Sequence, residues 1–488
     1  MSQSTRREFL RKSALGISAL AAGRLNSLPA GPGFLRGAGA APKKVIVAGA
    51  GLAGLAAAYE LAQAGHDVAV LEASTRPGGR VWTLREPFSD GLYAEAGAGR
   101  IPEHHEITLR YVKLFGLELD AFHPREGAEL YLLRGKRIPV RPGEDLNLSA
   151  LPFDLTPQER RLGLDGLERK YIDPVLGELG NPGAPGWPPE ELKKYDHMTW
   201  PEFLRRQGAS PGAVELLTSL SGWEYDSALD FLRDDLGHRG AKHLSKIRGG
   251  NDLLPKALAA LLADRIHYAS PVVRIEQDAR SVRAICAQAG ATRTHSADRL
   301  ICAIPFSCLG QVETAPAFSP EKQNAIRQLH YDPVVRVYCQ TRSRFWAAEG
   351  LSGFANTDHP TEIWHPTFDQ PGKRGILMAY LEDGLTRRVA AMPAAERVRF
   401  GIEAMEKVHP RLRENLEDAF SLCWAEQPWA RGAYAIFEPG QVTALPAAIQ
   451  RPEGRMHFAG EHASSWPGWM QGALESGLRA AREVHEAA

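Results

Sequence analysis

The clearest pattern near the start of the chain is two apolar runs separated by a stretch of small residues. Val45–Val47 and Val68–Leu71 are continuous apolar runs, which are typical of parallel strands buried on both faces. The segment Leu55–Ala64 between them is small and apolar, and Gly65 follows it, so it predicts a helix that ends at this glycine. Together these elements predict a βαβ unit.

Apolar spacing and breaking residues predict further elements along the chain. We expect helices at about 103–115, 157–170, 199–207, 211–220 and 470–486, and one that follows Pro255 and ends at about Leu262. We expect strands at 266–275, 299–304, 331–346 and 374–380, and a short strand that starts at Met456. Proline-rich breaks separate charged helices within 145–245, so this region is predicted to be a helical insertion.

Glycines follow the first strand in the G-x-G-x-x-G spacing of a dinucleotide-binding turn. Gly49 allows the tight turn, Gly51 lets the backbone approach a pyrophosphate, and Gly54 lets the helix pack closely on the strand. Glu72 ends the second strand, 18 residues after Gly54, where it can accept hydrogen bonds from ribose hydroxyls. The alternative is a glycine-rich turn that binds nothing, but the strand, helix and acid all lie in the required order.

Composition and charge limit the classes of partner. Of the 488 residues, 44% are hydrophobic and 24% are charged, as in globular proteins of two or three domains. Residues 1–40 hold six basic residues and one acid, which leaves 52 basic and 57 acidic residues in the remainder, a net charge of about −5. This balance gives no electrostatic reason to expect nucleic acid or an anionic membrane as a partner.

The first 40 residues are typical of a targeting segment. Thr5–Lys12 contains Arg6-Arg7 and resembles a twin-arginine export signal; a mildly apolar stretch, 14–22, follows it, and 38–40 offer an A-x-A cleavage site. We therefore expect a periplasmic or secreted protein, with a disordered basic arm as the alternative. No stretch has about 18 uninterrupted apolar residues, so no stable membrane insertion is expected.

The cysteines are few and scattered. Their number is odd and their spacing fits no metal site, so we expect small core residues, with one disulfide as the alternative. They are Cys286, Cys302, Cys308, Cys339 and Cys423.

Three further motifs carry a family resemblance. The run Arg76-Pro77-Gly78-Gly79-Arg80 resembles a loop of the FAD-binding domain of flavin amine oxidases. Its glycines let the loop approach a diphosphate, and the guanidinium of Arg80 can donate hydrogen bonds to that group. The stretch 91–117, with Arg100 after a glycine-rich turn, resembles the L-amino acid oxidase branch of that family. Residues 456–470 resemble its C-terminal flavin motif, where the start of the last helix can face the flavin.

The resemblance implies an α/β fold: an FAD-binding Rossmann-type (glutathione-reductase-like) domain, a mixed-sheet substrate domain and a helical insertion over the substrate site. The expected segments are a signal peptide at 1–40, the FAD-binding domain at 41–104, 246–312 and 450–488, the substrate domain at 105–144 and 313–449, and the insertion at 145–245. Within the insertion, Trp223, Glu224 and Tyr225 could face the site or be ordinary packing residues.

The resemblance also implies the residues of the FAD site. They are Gly49, Gly51, Leu52, Ala53, Gly54, Glu72, Ala73, Gly79, Arg80, Gly97, Ala98, Gly99, Arg100, Val272, Gly460, Glu461, Gly468, Trp469, Met470 and Ala473. For the substrate, it implies that Arg100 and Tyr380 hold a carboxylate and that Trp469 and Tyr434 form an aromatic wall beside the neutral amine.

Two positions depart from the family pattern. Ala433 stands where members with a covalent flavin have cysteine, so we expect non-covalent FAD. Arg336 stands where the family usually has a lysine that assists the reaction with oxygen, and arginine keeps the charge but is bulkier and planar. The departure at Arg336 leaves open how well oxygen serves as the electron acceptor.

The implied activity is oxidation of an L-amino acid to the 2-oxo acid and ammonia, with hydride transfer from Cα to flavin N5 and hydrogen peroxide as the second product. One alternative is an amine oxidase or dehydrogenase for a substrate without a carboxylate, possibly with another acceptor, although Arg100 argues against it. Another is a non-enzymatic binding protein on the same fold, which the complete flavin fingerprint disfavours. A homodimer is a family expectation only, and the preferred amino acid side chain is left open.

Overall fold

The computed structural model describes residues 35, 41–239, 243–288, 290–358, 361–381 and 383–487, so the export signal predicted within 1–40 lies outside the described residues. The strands are β1 Lys44–Ala48, β2 Asp67–Leu71, β3 Thr83–Leu84, β4 Ala94–Glu95, β5 Ile101–Pro102, β6 Leu119–Ala121, β7 Ala128–Leu133, β8 Lys136–Val140, β9 Leu244–Ile247, β10 Ile266–His267, β11 Val272–Gln277, β12 Val282–Gln288, β13 Ala291–Ala297, β14 Arg299–Cys302, β15 Glu313–Ala315, β16 His330–Tyr331, β17 Val335–Thr341, β18 Leu351–Thr357, β19 Thr361–Trp364, β20 Gly375–Leu381, β21 Leu416–Cys423, β22 Ala435–Ile436 and β23 Met456–Phe458.

The α-helices are α1 Leu52–Gln63, α2 Glu106–Leu114, α3 Pro157–Tyr171, α4 Asp173–Leu179, α5 Trp200–Arg206, α6 Pro211–Ser221, α7 Ala228–Arg239, α8 Leu253–Leu261, α9 Phe306–Leu309, α10 Pro320–Gln328, α11 Asp383–Ala390, α12 Ala394–Val408, α13 Leu412–Asn415, α14 Gln441–Ala444, α15 Pro446–Gln450 and α16 Met470–Glu486. Short 3-10 helices lie at Glu190–His197, Ala263–Arg265, Phe345–Glu349, Trp424–Glu426 and Glu461–Ala463.

One sheet of the structure is parallel and has five strands, in the order β10-β2-β1-β14-β23. Its strands come from chain segments that are far apart in the sequence. Val45, Val47 and Val68 are buried, and they share a core with α1 and α16. The predicted βαβ unit is therefore confirmed, and the α/β fold with a Rossmann-type sheet is the one observed.

Two helices meet at their small residues beside this sheet. A Cβ placed on Gly477 in α16 would lie 2.3 Å from the carbonyl oxygen of Ala53 in α1, so only glycine permits this approach. A Cβ on Gly54 would lie 2.0 Å from the carbonyl oxygen of Gly49, which gives Gly54 the packing role expected of it. The start of α1 therefore packs closely against the middle of α16.

A second, mixed sheet has seven strands, in the order β21-β17-β20-β19-β18-β7-β8. Its pairs are antiparallel except β18 with β7. Strand β20 lies between β17 and β19, and Tyr380 pairs with Arg336 on one side and with Glu362 on the other. This register brings three polar side chains from separate strands to one place.

The structure corrects two predicted strands. The strand expected at 266–275 is two strands, because Ala269 has a positive φ of 50° and Pro271 lacks the N–H needed to continue a ladder. Strand β10 joins the five-stranded sheet, whereas β11 belongs to a separate four-stranded sheet. The strand expected at 331–346 is likewise interrupted at Pro333 and ends at Thr341.

The region expected to be helical, 145–245, contains α3 to α7 and ends in β9. Helices α3, α5 and α6 match the predicted spans within one residue, whereas α4 and α7 were not predicted. Trp200, Phe203 and Leu229 are fully buried in its core.

The five cysteines are all free, and four of them are buried, so the disulfide alternative has no support. Among the described residues, no helix is both long and apolar enough to cross a membrane.

Candidate active site

A cavity of about 960 Å³ extends from the start of α1 to the helical insertion. Every residue that the sequence assigns to the cofactor or the substrate lines this cavity, with the exception of Gly54. Gly54 lies behind it, in the packing contact between α1 and Gly49. The chain therefore brings together residues from its first, middle and last segments in one site.

The glycine-rich turn forms one end of the cavity. Gly49 has a φ of +112°, which favours glycine, and a Cβ on Gly51 would meet no described atom within 4 Å. Glu72 holds the turn: its Oε2 accepts a hydrogen bond from the N–H of Ala50 at 2.6 Å, and its Oε1 accepts one from Ser74 at 2.8 Å. A carboxylate oxygen has a second lone pair, so Glu72 can still accept from a hydroxyl group.

Arg80 joins the second glycine-rich loop to the last segment of the chain. Its Nη1 donates to Glu461 Oε1 at 2.6 Å and to the carbonyl oxygen of Ala433 at 3.1 Å. Glu461 also accepts from the N–H of Gly468 at 2.8 Å. Burial opposes ionisation of Glu461, but Arg80 lowers the pKa of this carboxyl below its ordinary value. The contact with Glu461 was not anticipated from the sequence, and the interaction of Arg80 with a diphosphate stays a prediction.

Arg100, the predicted carboxylate-binding residue, lines the cavity and has an acidic neighbour. Its Nη1 is 3.6 Å from Glu362 Oε2, and its guanidinium lies 4.8 Å from the centre of the Trp364 ring. The preceding loop is fixed by Gly97, where a Cβ would lie 1.7 Å from the carbonyl oxygen of Arg80. Arg100 is thus a cation in a partly aromatic pocket, and Glu362 already lies beside its charge.

Arg336 is held next to the same aromatic rings. Its Nη1 donates to the carbonyl oxygen of Glu95 at 2.8 Å, and its guanidinium lies 4.7 Å from the ring centre of Tyr380 and 5.2 Å from that of Trp364. The residue is 4% exposed, and its Nε has no hydrogen-bond partner among the described residues. A buried donor of this kind points towards a group that completes the site.

The aromatic wall is anchored from the insertion. Trp469 precedes α16, and its Nε1 donates to Asp234 Oδ1 in α7 at 2.7 Å. Tyr434 lines the cavity next to Gly468. Burial raises the pKa of Asp234 to about 7.

Residues 52–485 match the family model of flavin-containing amine oxidoreductases. The chain belongs to this family. A putative L-amino-acid oxidase, YobN, of Bacillus subtilis (strain 168) is 34% identical, and the match covers 91% of this chain and 95% of that protein. The L-amino-acid oxidase of Demansia vestigiata is 31% identical, and the match covers 91% and 87%.

Solved structures of amine oxidases share the fold of this oxidoreductase. Putrescine oxidase bound to putrescine gives a TM-score of 0.78 at 21% identity, covering 91% of this chain and 99% of that chain. Cyclohexylamine oxidase from Brevibacterium oxydans IH-35A gives 0.77 at 24%, with the same coverage.

FAD is the cofactor, and the residues present fit it. The cavity joins the starts of α1 and α16, whose free N–H groups favour negative charge, and Gly51 leaves open space there. Arg336, whose Nε has no hydrogen-bond partner among the described residues, lines the same cavity. Bound FAD supplies the two-electron acceptor for oxidation of a small-molecule amine, and the protein supplies binding, orientation and charge.

Sequence reasoning missed three residues of this oxidoreductase site: Glu362, Trp364 and Asp234. The first two lie on β19, a short strand within a polar stretch that gave no clear pattern, and Asp234 lies on the helix that was not predicted. Of the three uncertain residues in the insertion, Trp223 lines the cavity and Tyr225 is exposed. Glu224 does not line the cavity.

Proposed function

We propose that this oxidoreductase oxidises the α-amino group of an L-amino acid, giving the 2-oxo acid, ammonia and hydrogen peroxide. The observation that carries the proposal is Arg100, whose guanidinium lies in a cavity walled by aromatic rings. A guanidinium binds a carboxylate through two parallel hydrogen bonds, and it does so more strongly where water is excluded. The similarity to L-amino-acid oxidases supports the same substrate class.

In this proposal the side chains divide the substrate between them. Arg100 and the hydroxyl of Tyr380 hold the carboxylate, which fixes the position of Cα. Trp469 and Tyr434 pack on the amine side and exclude water. The amine reacts in its neutral form, and the aromatic faces carry no charge that would stabilise the protonated amine.

A second candidate is an amine without a carboxylate, and the ion pair between Arg100 and Glu362 favours it. If this pair persists at 3.6 Å, the charge of Arg100 is matched within the protein and a substrate carboxylate meets repulsion from Glu362. Under the leading proposal, Glu362 turns away from Arg100 when the substrate binds.

The two candidates separate in an anaerobic screen that follows bleaching of the flavin band. Each L-amino acid is compared with the amine that lacks only its carboxylate, for example L-leucine with 3-methylbutylamine and L-phenylalanine with 2-phenylethylamine. The leading proposal expects rapid bleaching by the amino acids and slow bleaching by the matched amines. Rapid bleaching by the amines alone would establish the second candidate.

We further propose that residues 1–40 direct export by the twin-arginine pathway, which carries folded proteins and so suits a chain that binds FAD before export. The support for this is the Arg6-Arg7 pair with its apolar stretch and small-residue cleavage site.

A further inference from the structure

We propose that helix α7 fixes the orientation of Trp469 in the active site, with Asp234 as the positioning residue. The inference rests on the proposed function only in that Trp469 faces the reacting amine. It assigns to the insertion a part in the reaction beyond covering the substrate.

The indole ring of Trp469 is held on three sides. Its Nε1 donates to Asp234 Oδ1 at 2.7 Å. A Cβ on Gly237, one turn further along α7, would lie 3.3 Å from the edge of the ring, so α7 packs against it directly. The imidazole of His105 lies on another side, with ring centres 4.9 Å apart in an edge-to-face arrangement. The ring is 9% exposed and therefore has little freedom to turn unless one of these contacts changes.

The hydrogen bond with Asp234 determines which way the ring faces. An indole has a single donor and no acceptor, so a buried Trp469 needs an acceptor at one defined place. Loss of the acceptor then favours a rotation that exposes the N–H to the cavity.

Helix α7 is also attached to the rest of the protein through residues other than Asp234. The helix is attached through Asp230, whose Oδ2 accepts from the N–H of Phe437 at 2.8 Å. Arg233 forms a buried ion pair with Asp230. A change at Asp234 should therefore alter Trp469 while α7 stays docked.

Asparagine is the matched substitution, because its side-chain oxygen accepts the same hydrogen bond. Burial raises the pKa of Asp234 to about 7, so the native side chain is itself protonated in part near neutral pH. Leucine has the same branching at Cγ but is larger and has no acceptor. The pair D234N and D234L thus tests the hydrogen bond, and G237A below tests packing separately.

The test compares the limiting rate of anaerobic flavin reduction in these variants, using whichever amine reduces the wild-type holoenzyme fastest. Misplacing reacting groups by about 1 Å can cost about 100-fold in rate, so we expect D234L to reduce its flavin about 10- to 100-fold more slowly. D234N should recover most of that loss. The change should appear in the limiting rate more than in the substrate concentration at half-saturation, and FAD content should be unchanged.

A second variant perturbs the same ring without changing charge. In G237A the added methyl group pushes on Trp469, whereas in G177A, in α4, the methyl group meets no described atom within 4 Å. Alanine is the better helix former by about 1 kcal/mol, so neither variant should lower the melting temperature through helix propensity. We expect slower flavin reduction in G237A and an unchanged rate in G177A.

The orientation of the ring is read without turnover by ¹⁹F NMR of protein labelled with 5-fluorotryptophan. The Trp469 resonance is the one that W469F removes; D234L and G237A should shift it, and D234N and G177A should not. The inference is overturned if D234L and G237A reduce their flavin at the wild-type rate, or if D234N is as slow as D234L. If D234L fails to fold, G237A and the comparison of D234N with wild type still decide it. If only amines without a carboxylate reduce the wild type, the proposed function fails, and the same variants still test the role of Asp234.

Discussion

At the scale of single residues, Arg336 shows how the structure changes the meaning of a sequence departure. Its guanidinium is fixed by the carbonyl oxygen of Glu95 and lies over the Tyr380 ring, so its charge is held in one place inside the cavity. Arginine keeps the positive charge of the usual lysine, but its charge is delocalised and its donors form a planar fork. We therefore expect oxidase activity that is limited by the step with oxygen.

The prediction for Arg336 is slow reoxidation by air relative to flavin reduction, with faster turnover on an artificial dye acceptor. Oxygen gains negative charge as it takes up an electron, and a compact cation stabilises that charge better than a delocalised one. R336K should speed reoxidation in stopped-flow measurements. The control is Y338F, which removes the hydrogen bond from Tyr338 to the same carbonyl oxygen of Glu95, at 2.7 Å, without changing charge. Wild-type reoxidation much faster than reduction, or no gain in R336K, would contradict this role.

Non-covalent attachment of FAD is a second prediction at this scale. Ala433 lines the cavity and cannot form a thioether. Cys308 also lines it, but burial raises the pKa of that thiol, so it is not a ready nucleophile. Acid precipitation should leave a colourless pellet and a yellow supernatant that contains FAD, and C308S should behave in the same way. A pellet that stays yellow after washing would show a covalent bond.

At the scale of elements, the sequence predicted those whose pattern is local. Strands β1 and β2 and helices α1 and α16 follow from apolar runs and glycines, and the glycine turn places the cofactor. Helix α7 was missed because its buried side includes Asp230 and Arg233. Each is 3% exposed, and the two side chains form an ion pair with each other. Such a pairing depends on the folded structure, and its charged residues obscure the apolar period in the sequence.

The close approach of α1 and α16 gives a prediction for an element contact. In G477A the new methyl group would lie 2.3 Å from the backbone oxygen of Ala53, so the helices must separate. Overpacking of this kind costs about 1–3 kcal/mol, and it should also weaken FAD binding, since both helices start at the cavity. We expect a lower melting temperature and partial loss of FAD in G477A, measured by calorimetry and flavin absorbance. G177A is the control, and equal stability of the two variants would refute the contact.

At the scale of the whole molecule, the site depends on contacts between distant segments. Tyr380, Arg336 and Glu362 lie side by side because β20 lies between β17 and β19. Arg80 donates a hydrogen bond to Glu461, which is 381 residues away in the sequence. The sequence identified Arg336, Tyr380 and Arg80 through their resemblance to family motifs. Glu362 was not identified, because strand order and register are set by the tertiary fold.

Export is a prediction for the full chain. If residues 1–40 form a twin-arginine signal, the double variant R6K/R7K should keep the precursor inside the cell, while the FAD content of that precursor stays normal. Cell fractionation with immunodetection measures this, and a variant with R24K is the control, since Arg24 lies after the apolar stretch. Unchanged export of R6K/R7K would exclude this pathway.

The central claim is that Arg100 binds the substrate carboxylate. The most direct measurement is kcat/KM of R100A for an L-amino acid and for the amine that lacks only the carboxylate, with R125A, at an exposed position, as the control. Truncating one partner of a buried charge pair costs about 2–5 kcal/mol, so R100A should lose at least about 100-fold with the amino acid, keep its FAD and change little with the amine. Equal losses with both substrates, or unchanged kinetics with the amino acid, would contradict the claim.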